Sequence, residues 1–71
     1  MTKYNGHKNW NHWNVSLWIN NEEHLYRAAV SLCRRYGKAQ AARILASELP
    51  AKTPDGARYS VTAIRAALVG M

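Results

Sequence analysis

Apolar positions recur along this chain at helical spacing. Trp10, Trp13 and Leu17 fall at i, i+3 and i+7, with Val15, Trp18 and Ile19 on the neighbouring face, which predicts a first helix with a wide apolar surface capped by Asn9 or Asn11. A second pattern competes there, because Trp13, Val15, Leu17 and Ile19 also alternate with polar residues as a strand would. Trp18 breaks that alternation and no pairing strand is visible, so the helix is the reading adopted. Asn20 then reads as the N-cap of a second helix running from about Asn21 to Tyr36, with Glu23 completing a capping-box variant. Leu25, Ala29, Leu32 and Tyr36 line its inner face beside Tyr26, Val30 and Cys33. Arg34 and Arg35 occupy its last turn, and Gly37 stops it.

Lys38 to Leu49 predicts a third helix, with Ala41, Ala42, Leu45, Ala46 and Leu49 inward and Gln40, Arg43 and Ser47 outward. Pro50 ends it, and Lys52-Thr53-Pro54-Asp55-Gly56 reads as a turn. A short last helix follows from the N-cap Ser60 to about Val69, with Val61, Ile64 and Leu68 inward and Arg58, Thr62 and Arg65 on the opposite side. Before the first helix, Met1 to Lys8 is polar and holds the turn dipeptide Asn5-Gly6. The expected fold is all-α: a compact bundle of about four short helices with a helix-turn-helix-like second half. The chain reads as a single domain over 1–71, a Trp-rich element over 1–20 followed by a basic helical part over 21–71.

Length and charge sharpen that picture. A chain of 71 residues is close to the smallest that one core stabilises. Its single cysteine, Cys33, forms no internal disulfide, so a reducing cytoplasm is the expected location. No apolar run spans a membrane and no signal-like segment opens the sequence. Homodimerisation is the staple that remains. The net charge of +6 is spread along the chain: +2 over 1–20, +1 over 21–36, +1 over 37–50 and +2 over 51–71. Such a surface selects acidic partners, nucleic acid first.

Candidate chemistry is sparse. His7, His12, His24 and Cys33 lack the close paired spacing of a zinc site, so no metal or other cofactor is expected. Four acids, two of them at a helix start, leave no base–acid–nucleophile set, and no phosphate-binding Gly loop is present, so no enzyme activity is expected. The tryptophans read mainly as core, although a partly exposed Trp10 or Trp18 would mark a protein interface. The basic rows carry the functional reading. Arg27, Arg34, Arg35, Lys38 and Arg43 lie on two consecutive helices, and Arg58, Thr62 and Arg65 on the last. They suit phosphate contacts, with Thr62 or Arg65 reaching base edges. For any one of them, a solvated face is an equal reading.

Two resemblances add to this. Tyr4, Asn5, Gly6, Asn9, Trp10, Trp13, Asn14, Val15, Leu17, Trp18 and Ile19 follow a pattern close to Tyr-Asn-Gly-Trp, Asn-aromatic, Thr-Trp-Asn-Val-x-Leu-Trp-Ile. The stretch resembles a family of small uncharacterised proteins of phages, plasmids and integrated elements, with His7 and His12 where Trp and Thr are common. Thr53-Pro54-Asp55-Gly56 is similar to that family as well. The resemblance implies a mobile-element origin and no particular mechanism. Ala42, Leu45, Thr53, Pro54, Gly56, Tyr59, Ser60, Ile64, Arg65 and Leu68 resemble the helix-turn-helix region of serine-recombinase-type proteins, whose catalytic domain is lacking here and whose inter-helix connection differs over Ser47 to Thr53. That likeness implies a last helix entering the major groove, with Arg58, Thr62 and Arg65 toward duplex DNA. Two functions are therefore expected as alternatives: a small DNA-binding regulator, or an anti-CRISPR or antirestriction inhibitor that meets a host defence complex by protein–protein contact.

Overall fold

A computed structural model describes residues 9–69. The Asn5-Gly6 turn and His7 lie outside them. The fold is all-α, with four helices in the order α1 (Trp10–Asn21), α2 (Glu23–Tyr36), α3 (Lys38–Glu48) and α4 (Val61–Leu68). Among the described residues no helix is long and apolar enough to cross a membrane.

The helix starts follow from local chemistry. Asn9 caps α1 by accepting the His12 N–H at 3.0 Å, and Ser60 caps α4 by accepting the Ala63 N–H at 3.1 Å. The start of α2 differs from the expectation. Asn20 is not its cap: α1 continues through Asn21, and the Asn20 amide donates back to the Ser16 carbonyl at 2.8 Å. Glu22 alone separates the two helices and makes no side-chain cap. Gly37 is likewise the sole residue between α2 and α3. Its φ of +84° is a left-handed conformation that side-chain-bearing residues disfavour, so the reversal requires glycine.

The core is Val15 and Ile19 from α1, Ala29 from α2, Ala41, Ala42 and Leu45 from α3, Ala63, Ile64, Ala67 and Leu68 from α4, plus Ala57 and Tyr59 from the last connection. Half of these are alanines, which let helices approach closely but leave little apolar surface to bury. α4 is the hub, packing on both α1 and α3. Several residues expected to face inward do not. Val61 and Tyr36, at helix ends, are exposed, and the Trp10–Leu17 stripe of α1 faces outward. The inward face of α1 is instead the one that carries Asn14, Val15 and Ile19.

The connection over 49–60 holds the fold together. It contains an antiparallel bridge between Lys52 and Arg58, and the tight turn Thr53–Gly56 closes with the Gly56 N–H donating to the Thr53 carbonyl at 2.9 Å. Pro54 second and Gly56 fourth are the places a type I turn favours. This segment is longer than the three- or four-residue turn of a helix-turn-helix. It folds back onto α1, where buried Asn14 receives it. The Thr53 hydroxyl donates to Asn14 Oδ1 at 2.7 Å and accepts the Ala57 N–H at 3.0 Å. Asn14 Nδ2 and the Trp18 indole N–H each donate to Asp55 Oδ2 at 2.9 Å. Asn11 clasps the Arg58 backbone from both sides, accepting its N–H at 2.7 Å and donating to its carbonyl at 2.9 Å.

Candidate functional site

The predicted basic residues divide between two surfaces. Lys38 and Arg43 of α3 and Thr62 and Arg65 of α4 line one groove of about 480 Å³, closed by His12 of α1 and floored by Ala39, Val61, Ala66 and Val69. Arg34 and Arg35 line a separate, more open depression of about 740 Å³ on the outer side of α2, with Tyr26, Arg27, Val30 and Ser31. Arg58 borders neither. Its backbone is pinned to Asn11 on the far connection, so the expected row Arg58–Thr62–Arg65 is broken after its first member.

Local structure explains the groove. Lys38 and Ala39 are the first two residues of α3, and Val61 and Thr62 the first two of α4. Neither first turn contains an acid. The first turns of α3 and α4, together with the last turn of α4 and its cap Val69, therefore border the same space as the Lys38, Arg43 and Arg65 side chains. Among the described residues, no Asp or Glu side chain lines the groove. Among the described residues, no side-chain hydrogen bond or ion pair engages Lys38, Arg43 or Arg65. By contrast Arg27, on the other surface, is paired with Glu23 at 2.6 Å. A positive potential with unused donors attracts an anion, and phosphate oxygens suit it best.

The remaining titratable groups do other work. Burial pushes the Cys33 thiol up, partly offset by the nearby Lys38 ammonium, so it stays a protonated, half-buried core thiol. Burial likewise raises the Tyr59 phenol. Hydrogen bonds from Asn14 and then Trp18 hold the Asp55 carboxyl below its ordinary value. Among the described residues no three of His, Cys, Asp and Glu gather as a metal-binding group.

The aromatic candidates also separate. Trp10 is 40 % exposed and available to a partner. Trp18 is half-buried, its indole committed to Asp55, which makes it a structural residue. Sequence reasoning missed the Asn11, Asn14, Thr53 and Asp55 cluster and the place of His12 in the groove. One signal was present: Asn14 sits on the same helical face as Val15 and Trp18, where a polar residue needs a buried partner.

Fold and surface together define a small all-α domain with a cationic groove between two helix starts. Over residues 1–70 the chain matches the model of a family of unknown function, DUF7249, and it belongs to that family. Neither a curated protein nor a solved structure matches the chain.

Proposed function

We propose that this protein is a non-enzymatic accessory protein of a mobile element that acts in the host cytoplasm and binds duplex DNA through the groove between α3 and α4. The observation that supports the reading is the convergence of Lys38, Arg43 and Arg65, with Thr62, on one groove that no Asp or Glu side chain lines among the described residues. Phosphate is the ligand chemistry this supports, and the backbone of a duplex supplies it in a continuous row. Three cations engaged in this way give a salt slope of roughly −2.7, from about −0.9 per phosphate neutralised.

Fluorescence anisotropy with a labelled duplex at two salt concentrations tests this. Binding should weaken as salt rises, and the double variant Arg43→Ala, Arg65→Ala should flatten the slope by about 2. Absence of binding at low salt sinks the proposal.

A second reading, an inhibitor of a host defence nucleoprotein complex, is favoured by the α2 surface. There Tyr26, Arg34 and Arg35 are exposed together, and Tyr and Arg are the side chains that dominate binding energy at protein interfaces. It predicts a stable complex with a host assembly, lost in Arg34→Ala, Arg35→Ala, with little affinity for free DNA.

A further inference from the structure

The outward face of α1 is unlike the rest of the surface. Large apolar side chains stand on two sides of this helix: Val15 and Ile19 turn into the core, while on the opposite side Trp10 is 40 % and Leu17 37 % exposed, with Trp13 half-buried between them. Large apolar side chains exposed side by side on one face mark a contact surface. We infer that this face is the contact surface of a homodimer, α1 of one protomer lying antiparallel on α1 of a second copy about a two-fold axis. Trp10 of each chain then meets the partner's Leu17.

Charge selects the second copy over other occupants. The segment Trp10–Asn21 contains no Lys, Arg, Asp or Glu, whereas the chain as a whole carries +6. Two such chains repel one another wherever their cationic surfaces meet, and the α1 face is where they approach with least repulsion. An acidic partner finds no cation on it, and nucleic acid finds no phosphate contact. The rim is made of Ser16, Asn20 and Asn21, whose hydroxyl and amides both donate and accept. Such groups are self-complementary, as an isologous interface requires. The alanine-rich core gives the reason for the contact, since a domain this small with so little large apolar side chain inside is stabilised by association.

The dimer does not depend on the DNA reading, but it extends that reading by placing two grooves on one particle, so that two stretches of a duplex are engaged together. The test is the mass of the full chain by sedimentation equilibrium between about 5 and about 500 μM, without nucleic acid. The expected result is a dimer that Leu17→Glu weakens by about a hundredfold or more. Trp10→Glu should do the same while keeping α1 intact, because an acid is favoured in a first helical turn. Tyr36→Glu, an exposed aromatic at the end of α2, should leave the dimer unchanged. A wild-type protein that is monomeric throughout overturns the inference. A dimer that survives both α1 variants, with helicity retained, overturns it too. A dimer without DNA affinity defeats the proposed function alone, and a monomer that binds DNA defeats the dimer alone.

Discussion

Two polar clusters stand on either side of α4, and their difference separates structure from function. In one, Asn11, Asn14, Trp18, Thr53 and Asp55 join the α1 helix to the connection over 49–60 through five hydrogen bonds of 2.7–2.9 Å. No buried side-chain polar atom among the described residues is left without a partner. In the other, Lys38, Arg43, Thr62 and Arg65 face one groove and bond to nothing in the described chain. Both hold polar side chains brought together across the fold. A satisfied cluster has its energy invested in holding the fold, while an unsatisfied cationic one is stabilised only when something from outside supplies the oxygens.

The largest effect expected is on the satisfied side. Asn14→Ala strips the buried Thr53 hydroxyl of its acceptor and the exposed Asp55 of a donor, which should cost about 2–3 kcal/mol. For a chain of this size that lowers Tm by roughly 10–15 °C in a calorimetric scan. A loss below about 0.5 kcal/mol would show that the cluster is ornamental and break the comparison at its stronger end. Next in size, Arg43→Ala with Arg65→Ala should leave Tm nearly unchanged yet reduce duplex affinity about 10- to 100-fold at low salt. Equal and opposite behaviour, with stability lost and binding kept, would place the groove among the structural clusters.

Much of this was legible in the residues, and the rest fails for a physical reason. The caps Asn9 and Ser60, the stop at Gly37 and the extents of α3 and α4 all follow from local chemistry that the chain states openly. The orientation of α1 did not, because a helix with tryptophan and aliphatic residues on two sides gives two candidate inner faces. The choice between them is made by Thr53 and Asp55, about forty positions away, which need the face that carries Asn14. The same connection decides the groove. Helical register places Arg43, Thr62 and Arg65 around their own axes, but only the fold-back over 49–60 sets α4 beside α3 and carries Arg58 away. The α1–α2 junction was misread because Asn20 satisfies a carbonyl behind it instead of an N–H ahead.

Acid sharpens the comparison within the satisfied cluster. The folded state lowers the Asp55 carboxyl below its ordinary 3.8, so the bonds it accepts contribute stability above that pH and lose it as pH falls through the lower folded value. Thermal scans below pH 3.8 should therefore show wild-type Tm falling more steeply than that of Asp55→Asn, whose amide cannot titrate. The carboxylate is open to solvent, so this change is smaller than that of Asn14→Ala. Parallel curves for the two proteins would mean the charge of Asp55 adds nothing to the neutral hydrogen bonds.

The smallest effect tests the rule from the side where its two criteria disagree. Arg27 has a partner, Glu23, and by satisfaction alone would belong with the structural residues. Yet both side chains are largely exposed, at 75 % and 69 %, and an exposed pair one helical turn apart is screened by water. Glu23→Gln should cost about 0.3 kcal/mol, within a degree or two of wild-type Tm. A drop comparable to that of Asn14→Ala would mean that pairing alone marks a structural residue. A negligible one means that burial must accompany it, and that Arg27 belongs functionally with Arg34 and Arg35 on the open face of α2.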